Sequence, residues 1–75
     1  MMRNLAIEAL KHRYEGQKKA AEYTIENYLN NPVAIGEHPD LLSEIDKALN
    51  SWSDADGKIA VLEKIEDNEY KTLFD

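Results

Sequence analysis

Both prolines of this chain fall within one ten-residue segment. Residues 31–40 read NPVAIGEHPD and include Pro32, Pro39 and one of the three glycines, whereas the flanking segments contain no proline. Proline inside a helix removes a backbone hydrogen bond and clashes with the preceding turn. The sequence therefore predicts one helix before this segment and one after it.

The predicted fold class is all-α, an antiparallel helical hairpin of two long helices. We expect a single domain over residues 1–75, with a helix at about 4–30, a connector at 31–38 and a helix at about 39–71. Neither flanking segment contains a residue that forbids helix, although Gly16 weakens the first by about 1 kcal/mol relative to alanine.

The connector residues have physical reasons to reverse the chain. Asn31 precedes Pro32 and is steered away from helical backbone angles, which ends the first helix. Gly36 can adopt a positive φ that other residues resist. Pro39 suits the first helical position, and Asp40 complements the positive end of the helix dipole. Two apolar connector residues are expected to fold inward and close the end of the hairpin: Val33 and Ile35.

Apolar residues recur at steps of three, four or seven in both helical segments, which is the period of one helical face. We predict that they form a packing stripe between the two helices. On the first helix the stripe consists of Ile7, Leu10, Tyr14, Ala21, Ile25 and Tyr28. On the second helix it consists of Leu41, Ile45, Ala48, Trp52, Ala55, Ile59 and Leu62.

Folding the chain at residue 35 aligns the two stripes, so that facing residues have numbers adding up to about 70. In this register Tyr28 is expected to face Leu42, and Ala21 to face Leu49.

The same register places Trp52 opposite Gly16 and Gln17, where the first helix has no large apolar side chain. Alternation of large and small residues fills the space between helices. We therefore expect the indole ring to pack over the glycine.

A three-helix alternative arises from the segment ALNSWSDADG. Ser53 followed by Asp56 resembles a capping box, which would begin a new helix. The apolar stripe nevertheless keeps its phase through this segment. One continuous second helix is therefore the favoured prediction.

Self-association is expected because the chain is short. A domain of 75 residues hides only about 60% of the surface that its unfolded chain exposes. The chain has no cysteine to cross-link the fold. We therefore expect a homodimer or higher homo-oligomer, most simply a two-fold dimer that closes a four-helix bundle.

The charge is acidic and uneven. Residues 1–30 carry five bases and four acids, whereas residues 31–75 carry four bases and eleven acids, for a total net charge of −6. Such a chain repels a phosphate backbone, so direct nucleic-acid binding is not expected. No segment has the length and apolarity of a signal peptide or a membrane span. These features predict a soluble, cytoplasmic protein with no membrane association.

A metal or acid-base site in the connector is the competing interpretation of Glu37, His38 and Asp40. A divalent metal usually needs three or four ligands that converge from fixed positions. The other histidine, His12, would lie about 27 Å away along the first helix. We therefore predict a connector and no metal site.

Residues 52–63 resemble the calcium loop of an EF-hand. With Gly57 at loop position six, Asp54, Asp56 and Glu63 occupy ligand positions, but Trp52 stands at position one and offers no oxygen. Starting the loop at Asp54 instead places isoleucine where the glycine and the final acid are needed. Either register fails, and calcium binding is kept only as an alternative.

The run YLNNPVAIGEHPDLLSEIDKAL resembles small uncharacterised helical-hairpin proteins of tailed bacteriophages, in which a similar NP and IGEHPD loop joins two helices. The resemblance covers about residues 23–62 and is specific in the loop. It implies a hairpin fold and a phage origin, hence the host cytoplasm, and it implies no catalytic activity.

No phosphate-binding loop, nucleophile or cofactor motif is present in the sequence. We therefore expect a non-enzymatic structural or interaction protein that binds no cofactor, self-associates and presents an acidic surface to a protein partner. The alternatives are a calcium-binding protein and an acidic mimic of nucleic acid that acts on a DNA-binding protein.

Overall fold

A computed structural model describes residues 2–30 and 40–67. Its elements are two helices, α1 (Met2–Asn30) and α2 (Leu41–Glu66). The helices pack against each other as an antiparallel hairpin, and the described residues include no strand. The predicted all-α hairpin is confirmed.

The start of α2 corrects the predicted boundary. Asp40 is the N-cap rather than a residue of the first turn, and α2 begins at Leu41 instead of residue 39. The carboxylate oxygen Oδ1 of Asp40 accepts the backbone N–H of Ser43 at 2.9 Å. This bond satisfies a donor that the helix itself cannot pair. The other predicted connector residues lie outside the described residues: Asn31, Pro32, Val33, Ile35, Gly36 and Pro39.

The end of α2 also differs from the prediction. The helix ends at Glu66, and Asp67 is its C-cap, with a backbone N–H that donates to the carbonyl oxygens of Glu63 and Ile65. The predicted continuation as far as residue 71 is therefore wrong at residue 67, and its remainder lies outside the described residues.

The middle of α2 is continuous helix, so the three-helix alternative is wrong. Ser53 and Asp56 lie inside α2 and do not begin a new element. Residues 52–63 are helical throughout, and the loop that an EF-hand requires is not formed there. Burial of one regularly spaced face against α1 explains the continuity, because a break would have scattered that face.

The buried core is small. Among the residues whose burial the structure describes, six apolar ones are buried between the helices, and three of them are alanines: Ile7, Ala21, Ala48, Ala55, Ile59 and Leu62. Ala55 is completely inaccessible to solvent. Small side chains at a helix contact allow the two axes to approach closely. Half of the buried positions between the helices are therefore filled by methyl groups rather than by large side chains.

The predicted packing of Trp52 over Gly16 is wrong. A Cβ atom added at Gly16 would meet no other atom within 4 Å, and Gly16 is exposed. The neighbouring Gln17 points towards α2 instead, as described below. Helical geometry turns successive residues by about 100°, so only one of these two positions can face the partner helix.

The two glycines within the helices provide a test of this assignment. We expect Gly16→Ala and Gly57→Ala each to stabilise the protein by about 1 kcal/mol, because alanine is the better helix former. A Cβ atom at either position meets no neighbour within 4 Å. Thermal unfolding should show a rise of about 4–8 °C for each variant. An unchanged or lower midpoint would show that the glycine is needed where it lies.

The alanine contact provides a second test. Ala55→Leu places a larger side chain at a site with no accessible surface, and we expect a loss of about 1–3 kcal/mol. Ala9→Leu is the matched control, because Ala9 is an exposed alanine of α1, and we expect a change within about 0.5 kcal/mol. Urea unfolding at one fixed protein concentration measures both. Equal effects would contradict the close approach of the helices at Ala55.

Candidate protein-interaction surface

All members of the predicted packing stripe lie on the hairpin's inner or half-covered surfaces. Six are buried: Ile7, Ala21, Ala48, Ala55, Ile59 and Leu62. Seven are partly buried: Leu10, Tyr14, Ile25, Tyr28, Leu41, Ile45 and Trp52. The sequence therefore identified side chains that share one region of the molecule, but it did not separate the buried residues from those at the margin.

Two predicted pairings are wrong. Leu42 was expected to face Tyr28, but it is 79% exposed. Leu49 was expected to face Ala21, but it is 50% exposed. Ala48, the stripe residue that precedes Leu49, is buried, so the predicted stripe is the inner face of α2 and only the pairing by residue number is wrong.

One side of the hairpin, here called the Gln17 side, carries a polar clasp. The side-chain amide Nε2 of Gln17 donates to the backbone carbonyl oxygen of Ser51 at 2.8 Å and to Oδ2 of Asp54 at 3.1 Å. Lys58 Nζ also lies 3.1 Å from Oδ2 of Asp54. The clasp joins the middle of α1 to the middle of α2 and fixes how the helices are aligned.

An open groove of about 590 Å³ follows the clasp on the Gln17 side. Its lining is largely apolar and comprises Leu10, Tyr14, Ser53, Asp54, Gly57, Lys58, Val61 and Leu62. The Lys58 ammonium lies 5.1 Å from the centre of the Tyr14 ring, which is within the range of a cation–π contact. The groove is thus apolar at its base and charged along one edge.

The opposite side, here called the Trp52 side, carries two ion pairs between the helices. Lys18 Nζ lies 3.1 Å from Oδ1 of Asp56, and Lys11 Nζ lies 2.9 Å from Oε1 of Glu66. Gln17 and Lys18 are consecutive, so they diverge by about 100° on either side of the helix contact. The Lys18–Asp56 pair lies near the middle of this side, and the Lys11–Glu66 pair lies at its end remote from the connector.

The charged contacts shift three pKa values. The hydrogen bond to Glu66 raises the pKa of Lys11, and the hydrogen bond to Asp56 raises the pKa of Lys18. The hydrogen bonds from Gln17 and then from Lys58 lower the pKa of Asp54. All these groups are solvent-accessible, and exposed ion pairs contribute little stability. They align the helices more than they hold them together.

The carboxylates of the EF-hand interpretation do not converge on a common point. Asp54 is bonded to Gln17 and Lys58, while Asp56 pairs with Lys18 on the opposite side. Within residues 2–30 and 40–67, no group of three or more His, Cys, Asp or Glu side chains is placed to hold a metal ion.

Apolar side chains remain exposed on both helices. In the described part of the chain, six large ones are at least half exposed: Leu5, Tyr23, Leu29, Leu42, Leu49 and Val61. Three of these lie together near the connector end of the Trp52 side, and with three half-buried neighbours they form what we call the apolar ridge. The ridge consists of Ile25, Leu29, Leu42, Ile45, Leu49 and Trp52.

Sequence reasoning did not single out the ridge, although a signal was available. Positions 42, 45, 49 and 52 are all apolar and follow steps of three, four and three, the spacing of a coiled-coil seam. This second stripe overlaps the predicted one at Ile45 and Trp52. The overlap hid the fact that α2 has two apolar faces.

Neither helix of the described part is long and apolar enough to cross a membrane. Comparisons with protein-family models, with curated proteins and with solved structures found no match. The resemblance to hairpin proteins of tailed phages therefore stays a prediction from the connector sequence.

The clasp predicts a specific acid sensitivity. The pKa of Asp54 is lower in the folded protein than its ordinary value of 3.8. Its stabilising contribution is present above that value and is lost as the pH falls through the lowered one. We expect Asp54→Asn to lose less stability than the wild type between about pH 5 and pH 2. Urea unfolding midpoints across this range provide the measurement.

Two further variants sharpen this test. Gln17→Met removes the first cause of the shift while keeping the side-chain length and helix propensity, so it should reduce the same acid sensitivity. Asp46→Asn changes the net charge equally at an exposed position of α2 and should retain the wild-type profile. Identical profiles for the Asp54 and Asp46 variants would contradict a role for the clasp.

Proposed function

We propose that this protein is a small, non-enzymatic helical interaction protein that self-associates and presents an acidic surface to a protein partner. The proposal includes the phage origin that the connector sequence suggests. The observation that carries it is a hairpin one helix thick with apolar side chains left exposed along it.

The hairpin is a single layer of helices. The molecule measures 50 × 23 × 14 Å along its principal axes, and one helix with its side chains is about 10–12 Å across. Stable domains consist of two or three packed layers of secondary structure around a common core. A second layer, supplied by another molecule, would complete that arrangement.

The exposed area leads to the same conclusion. The chain exposes 5829 Å², whereas a compact monomer of its mass exposes about 4,700 Å². The excess of about 1,100 Å² is similar to the roughly 800 Å² that each partner contributes to a standard protein interface. Self-association therefore accounts for surface that a monomer leaves in water.

The acidic part of the proposal rests on α2. Residues 40–67 carry eight acids and three bases, whereas residues 2–30 carry four acids and five bases. A basic protein surface would complement α2, and such complementarity speeds association and selects partners. The nucleic-acid mimic receives less support, since Asp54, Asp56 and Glu66 are engaged by lysines of the same chain.

Light scattering coupled to gel filtration tests the self-association. We expect a mass at least twice the 8.6 kDa of one chain, decreasing only on dilution. Because apolar burial drives the association, the mass should persist in about 1 M salt, where exposed charges are screened beyond about 3 Å. A mass of one chain at every concentration would refute self-association, and loss of the oligomer in salt would refute its apolar basis.

A further inference from the structure

We propose that the apolar ridge is where a second copy of this chain docks, closing a four-helix bundle about a two-fold axis parallel to the helices. The inference rests on the self-association proposed above and adds the face and the orientation. In this arrangement α1 of one copy lies over α2 of its partner, and the two connectors lie at the same end.

The part of the ridge on α2 is a continuous apolar strip. Leu42 and Leu49 are one heptad apart and are 79% and 50% exposed. Ile45 and Trp52 follow them at steps of three and are partly buried. All four strip positions are apolar, which gives about ten residues of helix the spacing that coiled-coil seams use.

The part of the ridge on α1 lies on the same side. Residues separated by three, four or seven positions lie on the same face of a helix. On α1, Ile25 and Leu29 follow Lys18 at such steps. On α2, Trp52 and Leu49 precede Asp56 at such steps. The Lys18–Asp56 ion pair therefore marks the side on which both strips lie. Leu29 is 64% exposed, so each helix contributes an uncovered leucine to the ridge.

The position of the ridge determines the orientation of the second copy. The ridge occupies the connector half of the Trp52 side, the Lys18–Asp56 ion pair lies near the middle of that side, and the Lys11–Glu66 ion pair lies at the end remote from the connector. A two-fold axis parallel to the helices places ridge against ridge. An axis across the helices would place each ridge against the partner's ion pairs and bury charges there, which is costly.

The charges select the same orientation. Residues 2–30 have a net charge of +1, and residues 40–67 have a net charge of −5. With the axis parallel to the helices, each α2 faces an α1 of the partner. With the axis across the helices, the two acidic α2 helices would face each other and repel. The favoured bundle is the up-down-up-down arrangement in which neighbouring helices are antiparallel.

The Gln17 side is a weaker docking face for a second copy. Among the described residues of this side, only one large apolar side chain is at least half exposed. It is Val61, which is 53% exposed. The Lys58–Asp54 ion pair lines the groove beside it. Covering this side would therefore desolvate charges for a smaller apolar gain.

Charge insertion on each side tests the choice of face. Leu49→Glu places a carboxylate within the ridge, and Val61→Glu is the matched control on the Gln17 side. Sedimentation equilibrium should give a dimer dissociation constant raised at least about 30-fold for Leu49→Glu, as for a residue at the centre of an interface. Val61→Glu should change it by less than about threefold.

Circular dichroism should confirm that both variants keep their helices, because both side chains are already about half exposed in the hairpin. Leu49→Ser, which adds no charge, provides a second variant and should weaken the dimer in the same direction. If Val61→Glu weakens the dimer and the Leu49 variants do not, the assigned face is wrong while self-association stands. A monomeric wild type would overturn both proposals. A segment of the same chain would then be the candidate to cover the ridge.

The orientation has its own measurement. The chain contains no cysteine, so Asn30→Cys introduces a single labelling site at the exposed connector end of α1. Spin labels in the parallel-axis dimer should lie within about 30 Å of each other, because the bundle is only a few helix diameters wide. A separation of about 40 Å or more, the length of α2, would overturn the proposed orientation.

Discussion

Alanine methyl groups close the contact between α1 and α2. Ala21, Ala48 and Ala55 are buried along it, and each removes little apolar area from water compared with a buried leucine or isoleucine. The helices gain closeness from this contact and obtain only a modest hydrophobic free energy. A chain of this length is marginally stable even with a well-filled core. The small core is the reason why we propose a second source of burial, supplied by another copy of the chain.

The polar contacts have a different role from the alanines. The Gln17 clasp and the lysine ion pairs lie on opposite sides of the contact, and together they determine which residues of the two helices lie side by side. In an antiparallel pair of helices, residues at the same level have numbers with a constant sum. The sum is 68 for Gln17 and Ser51 but 77 for Lys11 and Glu66. The long side chains of Lys11 and Glu66 span this difference along the helix axes. These exposed bonds specify alignment and leave the free energy of folding to apolar burial.

The sequence was sufficient for the two helices, the position of the connector and the continuity of α2, because proline placement and a 3.6-residue period determine these locally. It was not sufficient for the pairs of residues that face each other. The predicted stripe contained Ala48 and Ala55, which are buried, but pairing by residue number placed Leu42 and Leu49 opposite α1, and both are exposed. The same pairing placed Trp52 opposite Gly16. Periodicity identifies apolar faces. Which face packs against which neighbour also depends on the distance between the two backbones, and the spacing of apolar residues does not determine that distance.

The width of the apolar surface on α2 explains why the prediction had two solutions. Successive helix residues are rotated by about 100°. On this basis the apolar positions of α2, from Leu62 to Leu42, cover about 160° of the helix circumference. A helix that packs against one neighbour needs an apolar face about 100° wide. A helix with two apolar faces side by side is suited to two neighbours. Within the hairpin, α1 covers the face of Ala48 and Ala55, and the face of Leu42 and Leu49 stays exposed. In the four-helix bundle that we propose, each helix has two neighbours, so a second hairpin would cover the apolar face of α2 that α1 of the same chain leaves exposed.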